Sequence, residues 1–401
     1  MTQNLIPGKV DTDGGWVRTW GNSPQSPQAS VAALESFADA TLRQVVRVSG
    51  GGTQVRVRFT NEYGTTPLTV GSAHLALAAS GGDIQAATDH ALTFNGRSDA
   101  VIPAGAAIDS DVVGLEIVPL SQLVISLYLP EQVEICTSHG GMDVQGWMIP
   151  GNVVAAVALP RMALPLPARG LLAAVDVLPT GPARAVAVIG DSLTDGVGST
   201  PHADRGWLSL LTERLIERGG AGGYVSNQGI SGNRLLQGGF GESALERFDR
   251  DVLATPGLGY VIVVEGLNDI AMSYAPADSG PEAEFMKMLA GEPITPADLI
   301  QGYRDLVDRA HKRGLRIYAA TLTPYEGADV FSAEGEQARQ TVNTWIRQSG
   351  VFDAVLDFDA VWADPARPTR IREGYQAGDH LHGSDAGYKA MADSIDLDLF
   401  R

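Results

Sequence analysis

The chain has 401 residues, 44% of them hydrophobic and 19% charged, with a formal net charge of −18. That length suits two domains with real cores. The acidic balance, shared by both halves, repels nucleic acid and anionic membrane surfaces. No apolar run reaches the length that spans a bilayer, so neither nucleic acid nor a membrane is an expected partner. Cys136 is the single cysteine, which excludes an internal disulfide. The opening MTQNLIPGKVDTDGG lacks a basic segment followed by an apolar core. The expectation is a cytoplasmic location, or a secreted or periplasmic one if a leader has been trimmed.

Residues 41–130 read as strands. In GTQVRVRFTNEYG, Val55, Val57 and Phe59 alternate with Arg56, Arg58 and Thr60, the period of a half-buried strand. LTVGSAHLALA (68–78), AVIPAG (100–105), VVGLEIVPL (112–120) and QLVISLYLP (122–130) follow, separated by Gly and Pro. Val31–Leu42 is the one stretch that reads as a helix among them. A β-sandwich or jelly roll satisfies this pattern. Residues 160–182 are rich in proline and read as a linker. The expected domains are therefore 1–180 and 181–401.

From residue 184 strands alternate with helices. Ala185–Ile189, Tyr224–Asn227, Tyr260–Glu265, Arg316–Leu322 and Ala354–Phe358 are the strand candidates. The first long helix places Trp207, Leu208, Leu211, Leu215 and Ile216 on one face and closes at Gly219. Asp298–Arg313, Glu334–Gly350 and Ser384–Asp396 behave alike. This alternation predicts a parallel sheet covered on both faces, with ligands at the carboxyl ends of its strands.

Four polar blocks fall at those ends. Ser192 follows the strand of RAVAVIGDSLTDGVGST and is a candidate nucleophile; alone, it is equally an N-cap. Gly232, in SNQGISGNRLL, allows a tight turn whose N–H can face a ligand. Asn268, in VIVVEGLNDI, offers a side-chain donor, or else serves a turn. In GDHLHGSDAGYKAMA, Asp379 can bind the Nδ1–H of His382, leaving Nε2 to take a proton from Ser192. Asp379, His380 and His382 also admit a metal reading, a weaker one because no other ligand cluster accompanies them. Together the blocks supply a nucleophile, a base, an orienting acid and three oxyanion donors: Ser192 N–H, Gly232 N–H and the Asn268 side chain.

Carried by IGDSLTDG, NQGISGN, EGLNDI and DHLH in this order, residues 184–401 resemble the SGNH hydrolase superfamily of GDSL esterases and lipases. WVRTWGNSPQ, TLRQVVRVSGGG and VRVRFTNEYGTTPL resemble a bacterial subgroup with an N-terminal β-sandwich domain. The resemblance implies a flavodoxin-like three-layer α/β/α domain and an acyl-serine mechanism without metal or cofactor. It also implies short-chain ester hydrolysis at an open site, including deacetylation of carbohydrates. The expected partner is a small-molecule or carbohydrate ester, with a homo-oligomer left open. The alternatives are a lipase or thioesterase for longer acyl chains, and a non-catalytic carbohydrate-binding protein. Gly383 departs from the proline that many members carry after the base histidine, which implies a less rigid loop.

Further residues carry weaker expectations. Asp191 braces the nucleophile turn. Asp195 and Asn233 contact substrate or tie loops together. Arg205 and Trp207 lock the first helix. His139, in TSHGGMDVQGW, either reaches over the cleft or sits satisfied at the surface. Residues 271–297 form an insert that is either a wall of the acyl pocket or an acidic surface excursion.

Overall fold

The computed structural model describes residues 14–27, 36–134, 136–141, 144–276, 289 and 291–401. The N-terminal part is a sandwich of two antiparallel sheets. One holds the strands Val17–Gly21, Leu172–Leu178, Gly52–Asn61 and Val113–Ile117, with Ala106–Asp109 paired to Gly52–Asn61. The other centres on Ala40–Arg47, Gln122–Leu129 and Ser72–Ser80. The inward residues of both sheets, among them Leu42, Val46, Val55, Val57, Phe59, Ile125 and Val175, form one buried cluster. This is the expected consequence of period-2 alternation on two facing sheets.

Two expectations are corrected in this part. The helix read over Val31–Leu42 fails where it is described, because Ala40–Leu42 open a strand that pairs with Leu127–Leu129. Residues 28–35 lie outside the described residues. Sheet pairing and burial on both sides override local helical preference here. The proline-rich stretch 160–182 is no linker either. Leu172–Leu178 within it is a sandwich strand paired on both edges, and its Asp176 is held by Arg18 at 2.9 Å and Arg56 at 3.1 Å. Prolines flank that strand without entering it, so their density misleads.

The C-terminal part is a five-stranded parallel sheet. Its elements are β1 (Ala185–Gly190), α1 (Ser192–Asp195), α2 (Trp207–Arg218), β2 (Tyr224–Gly229), β3 (Leu258–Val264), α3 (Leu267–Tyr274), α4 (Pro296–Lys312), β4 (Arg316–Ala320), α5 (Ala333–Gln348), β5 (Ala354–Leu356), α6 (Phe358–Trp362) and α7 (Asp385–Ser394). The strand order is β2-β1-β3-β4-β5, the flavodoxin-like order. β1 and β3 are apolar on both faces, and the pleat divides their residues between two cores. Ala187, Ile189, Val261 and Val263 join α4 and α5 in one. Val186, Val188, Ile262 and Val264 join α2 and α7 in the other. Phe358, expected to end the fifth strand, instead enters α6, because Asp357 caps that helix by accepting from Ala360 N–H.

Trp207 locks α2: it is fully buried, donates to the Leu193 carbonyl at 3.0 Å and meets Phe358 edge-on. Arg205 is exposed, so it does not share that role.

The sandwich docks along β2, the edge strand of the parallel sheet. Ser49 Oγ accepts from Val225 N–H at 2.9 Å, Tyr224 donates to the Gly51 carbonyl at 2.8 Å, and Ser23 donates to Gln228 Oε1 at 2.9 Å. An exposed edge would invite unwanted pairing; here the sandwich covers it.

Candidate active site

Ser192, Gly232 and Asn268 follow β1, β2 and β3, three adjacent strands, and so converge at one end of the sheet. Ser192 is the first residue of α1. Asp191 caps that helix, accepting from Leu193 N–H at 2.9 Å, which is the bracing role expected for it. Ser192 N–H has no hydrogen-bond acceptor among the described residues, and neither has Gly232 N–H. Gly232 takes φ +77°, and a Cβ there would meet the Phe240 ring at 2.5 Å. Glycine is thus required both by the turn and by the packing.

The His382 ring stands between Ser192 and Asp379. Its Nε2 lies 2.8 Å from Ser192 Oγ and its Nδ1 2.6 Å from Asp379 Oδ2. Asp379 Oδ1 accepts from the N–H groups of Leu381 and His382, each at 2.9 Å. Partial burial raises the Asp379 pKa, but the His382 hydrogen bond and these two N–H donors outweigh it. The carboxyl is held well below its usual range. An ionised carboxylate so placed fixes the ring in one orientation. Ser192 is only 9% exposed, whereas the Asp379 side chain is 49% exposed.

Gly383 has a structural reason. A Cβ at this position would meet the Trp362 ring at 2.6 Å. The base loop is not loosened by it: the His382 carbonyl accepts from Ala377 N–H at 2.9 Å, and Ser384 N–H donates to the Tyr375 carbonyl at 2.8 Å. His380 takes φ +60° and lays its ring over Gly327. Among the described residues no group of three His, Cys, Asp or Glu side chains gathers as metal ligands.

Asn268 is 8% exposed. Its Nδ2 donates to the Asn233 carbonyl at 2.9 Å and lies 3.4 Å from Asp191 Oδ2. One N–H is thus committed to orienting the amide, and the other makes only a long contact. A developing oxyanion can take over that second N–H.

The candidate substrate contacts find partners inside the protein instead. Asn233 is 1% exposed; it donates to the Phe240 and Glu242 carbonyls and accepts from Arg247. It ties the Gly232 loop together. The Asp195 side chain is largely buried and accepts from Ser231 Oγ at 2.6 Å. His139 is neither at the surface nor over the cleft. It is 6% exposed and sits at the domain junction, its Nδ1 2.8 Å from the Ser23 carbonyl and its Nε2 3.4 Å from Asp195 Oδ1. A crevice of about 200 Å³ opens there, lined by Trp20, Asn22, His139, Asp195 and Arg205 among others, but not by Ser192 or His382.

Of the insert 271–297, residues 277–288 and 290 lie outside the described residues, and the wall or lid reading falls mostly on them. Its returning end docks on the segment after Gly232: the Leu289 carbonyl accepts from Arg234 at 2.8 Å and the Glu292 carbonyl from Gln237 at 3.0 Å.

Beneath the site lies a group that spacing does not announce. Asp191, Glu265 and Asp269 are all buried, and burial pushes each upward, Asp191 and Asp269 to about 6 and Glu265 well above its ordinary value. The fully buried Arg247 guanidinium threads between the strand ends. It donates to the Gln228 carbonyl at 2.7 Å, the Gly190 carbonyl at 3.2 Å, Asn233 Oδ1 at 3.0 Å and Ser23 Oγ at 2.7 Å. Its acidic neighbours are Asp251 at 3.2 Å and Glu265 at 3.4 Å. The only local signal is the capping box, Ser243 to Glu246, that starts its short helical turn.

A three-layer α/β fold that sets a Ser–His–Asp chain beside free N–H groups defines a serine hydrolase of the acyl-transfer type. The chain belongs to the GDSL-like lipase/acylhydrolase family, whose model matches residues 188–390. It is a carboxylic ester hydrolase of the SGNH kind. Among solved structures it is similar to a variant of an acetyl xylan esterase from Geobacillus stearothermophilus. That pair shares 20% identity with a TM-score of 0.41, covering 53% of this chain and 93% of the other. It is also similar to a GDSL-like lipase from Bacteroides thetaiotaomicron, at 16% identity and a TM-score of 0.37, covering 53% of this chain and 85% of the other. No curated protein matches the chain.

Proposed function

We propose that Ser192 is the nucleophile of an esterase acting on short acyl groups, foremost acetyl esters of carbohydrates or related small alcohols. The observation that carries the chemistry is the unbroken chain from Asp379 Oδ2 through both His382 nitrogens to Ser192 Oγ, at 2.6 and 2.8 Å. The preference for a small acyl group and a bulky, polar alcohol is supported by the exposure of the acid–base loop, with Asp379 half open to water.

In this reading His382 Nε2 takes the Ser192 proton as Oγ attacks the ester carbonyl. The oxyanion is met by the N–H groups of Ser192 and Gly232 and by the second N–H of Asn268. As the tetrahedral centre collapses, the bond to the alkoxide breaks and His382 gives its proton to the leaving alcohol. Water then enters, loses a proton to His382 and attacks the acyl-enzyme, and Ser192 Oγ leaves with that proton. Asp379 stabilises the imidazolium that forms in both halves.

The test is a p-nitrophenyl ester series from acetate to palmitate, run beside fluorophosphonate labelling. We expect kcat/KM to fall as the chain lengthens, and labelling that Ser192→Ala abolishes. A preference for long chains would turn the reading to a lipase or thioesterase. Absence of both labelling and turnover would turn it to a carbohydrate-binding protein with an inactive hydrolase fold.

A further inference from the structure

We propose that His139 is a positioning residue for the oxyanion hole, acting through Asp195 and Ser231 on the Gly232 N–H. The proposal rests on the reading of Ser192 as nucleophile and extends the site into the sandwich domain.

Three observations support it. First, His139 is held from behind. Its Nδ1 lies 2.8 Å from the Ser23 carbonyl, and the same Ser23 donates its hydroxyl to Gln228 Oε1 at 2.9 Å and accepts from Arg247 at 2.7 Å. The strand Ser138–His139 pairs with Arg169–Gly170, and Gln25 bridges to Ser138. The ring is therefore tied to the paired backbone of the sandwich.

Second, the ring faces the one carboxylate that links α1 to the Gly232 loop. His139 Nε2 lies 3.4 Å from Asp195 Oδ1, and Asp195 Oδ2 accepts from Ser231 Oγ at 2.6 Å. Asp195 ends the helix that Ser192 begins, and Ser231 immediately precedes Gly232. The Asp195 side chain is 7% exposed and that of His139 8%. A buried carboxylate in this position is costly unless partnered; the Ser231 hydroxyl donates to it, and His139 Nε2 donates to it when both ring nitrogens carry a proton, since Nδ1–H is given to the Ser23 carbonyl. A change at His139 is thus transmitted to both ends of the hole, the Ser192 N–H and the Gly232 N–H.

Third, Gly141 packs directly against the pair on one side of the crevice. A Cβ on Gly141 would meet Asp195 Oδ1 at 3.0 Å and His139 Nε2 at 3.1 Å. A displacement of about 1 Å in a hole of this kind is enough to cost about a hundredfold in rate.

The experiment measures kcat and KM for p-nitrophenyl acetate with the full chain carrying His139→Ala, His139→Asn, His139→Gln or Ser231→Ala. Asn places its amide near the Nδ1 position and Gln near the Nε2 position. If the contact with Asp195 matters, Gln restores rate and Asn does not. Expected are kcat losses of about ten- to a hundredfold for His139→Ala and about tenfold for Ser231→Ala, with KM nearly unchanged. The double variant His139→Ala/Ser231→Ala should be no less active than the more impaired of the two single variants, since both cut one chain of contacts. Wild-type kcat in Ser231→Ala, additive losses in the double variant, or equal rescue by Asn and Gln would each overturn the proposal. If His139→Ala does not fold, Ser231→Ala and the Asn/Gln pair still decide it. Ser192→Ala is the separate control: residual turnover there would sink the nucleophile reading itself, whatever His139 does.

Discussion

The two sides of Ser192 are built in opposite ways. On the acid–base side, Asp379 and His382 lie three positions apart on one exposed loop, and the loop's own N–H groups hold the carboxylate. On the oxyanion side, Asp191, Asn233, Asn268 and Asp269 follow three different strands, Arg247 comes from a helical turn, and all five are buried. The first side is local and hydrated. The second is a long-range network that exists only once β2, β1, β3 and the sandwich have met. A reaction that needs one mobile proton and one fixed hole is well served by this division. In the proposed reaction the proton carrier works beside water, while the donors that stabilise charge are preorganised away from it.

Removing Arg247 tests whether the buried side is a framework. Arg247→Ala strips the guanidinium from the Gln228 and Gly190 carbonyls and leaves Asp251 without one of its partners. Breaking such a buried pair costs about 3–5 kcal/mol. We expect a large fall in the urea midpoint with the m-value unchanged. A stability equal to wild type would show that the strand ends hold themselves. Asn268→Ala probes the same side with a smaller loss to the framework, one hydrogen bond to the Asn233 carbonyl worth about 1 kcal/mol. It should lower the unfolding midpoint far less than Arg247→Ala does and lower kcat by about a hundredfold or more, the loss of about 2.7–4 kcal/mol of transition-state stabilisation. Full activity there would assign the hole to the two backbone N–H groups alone.

The same division explains what could be read from the chain. Asp379 and His382 were legible because their contact is set by spacing, and Ser192 because an apolar strand breaks at Gly190-Asp191. The strand–helix rhythm pointed to the parallel sheet, since strands buried on both faces leave continuous apolar runs. Arg247 and His139 were not legible. A capping box is the one local signal near Arg247, His139 stands out without showing where its ring goes, and each takes its meaning from partners far along the chain, such as Ser23 for both. Asn233 and Asp195 stand out as polar groups near the nucleophile, yet proximity could not say that their side chains turn inward. Gly383 reads as a loosening of the base loop because the Trp362 ring that fills the space is twenty-one residues upstream. The strand at Leu172–Leu178 was hidden by flanking prolines, whose effect is confined to the positions that they occupy.

Titration offers the finest way to separate the two sides, because their carboxyls are shifted in opposite directions. Burial pushes Asp269 up to about 6 from an ordinary 3.8, against the pull of the Leu235 and Leu236 N–H groups that it accepts from. The folded chain then binds this proton more tightly than the unfolded chain does. Its contribution to stability is full below the ordinary value and falls as pH rises from about 4 to about 6, by about 3 kcal/mol. Asp379 has the reverse sign. Its folded value lies below the ordinary one, so its contribution is present above pH ~4 and is lost on acidification below that. Water beside the half-exposed loop screens it, and its share is the smaller one. Denaturant melts of wild type and Asp269→Asn from pH 4 to pH 7 isolate the contribution of Asp269. Asn forfeits one acceptor for the two backbone N–H groups, so the variant is less stable throughout. The slope is the readout: between pH 4 and pH 6 the wild type should lose stability relative to Asp269→Asn. Parallel curves would mean that Asp269 ionises normally, and the oxyanion side would then not be the dry framework that sets it apart from the loop opposite.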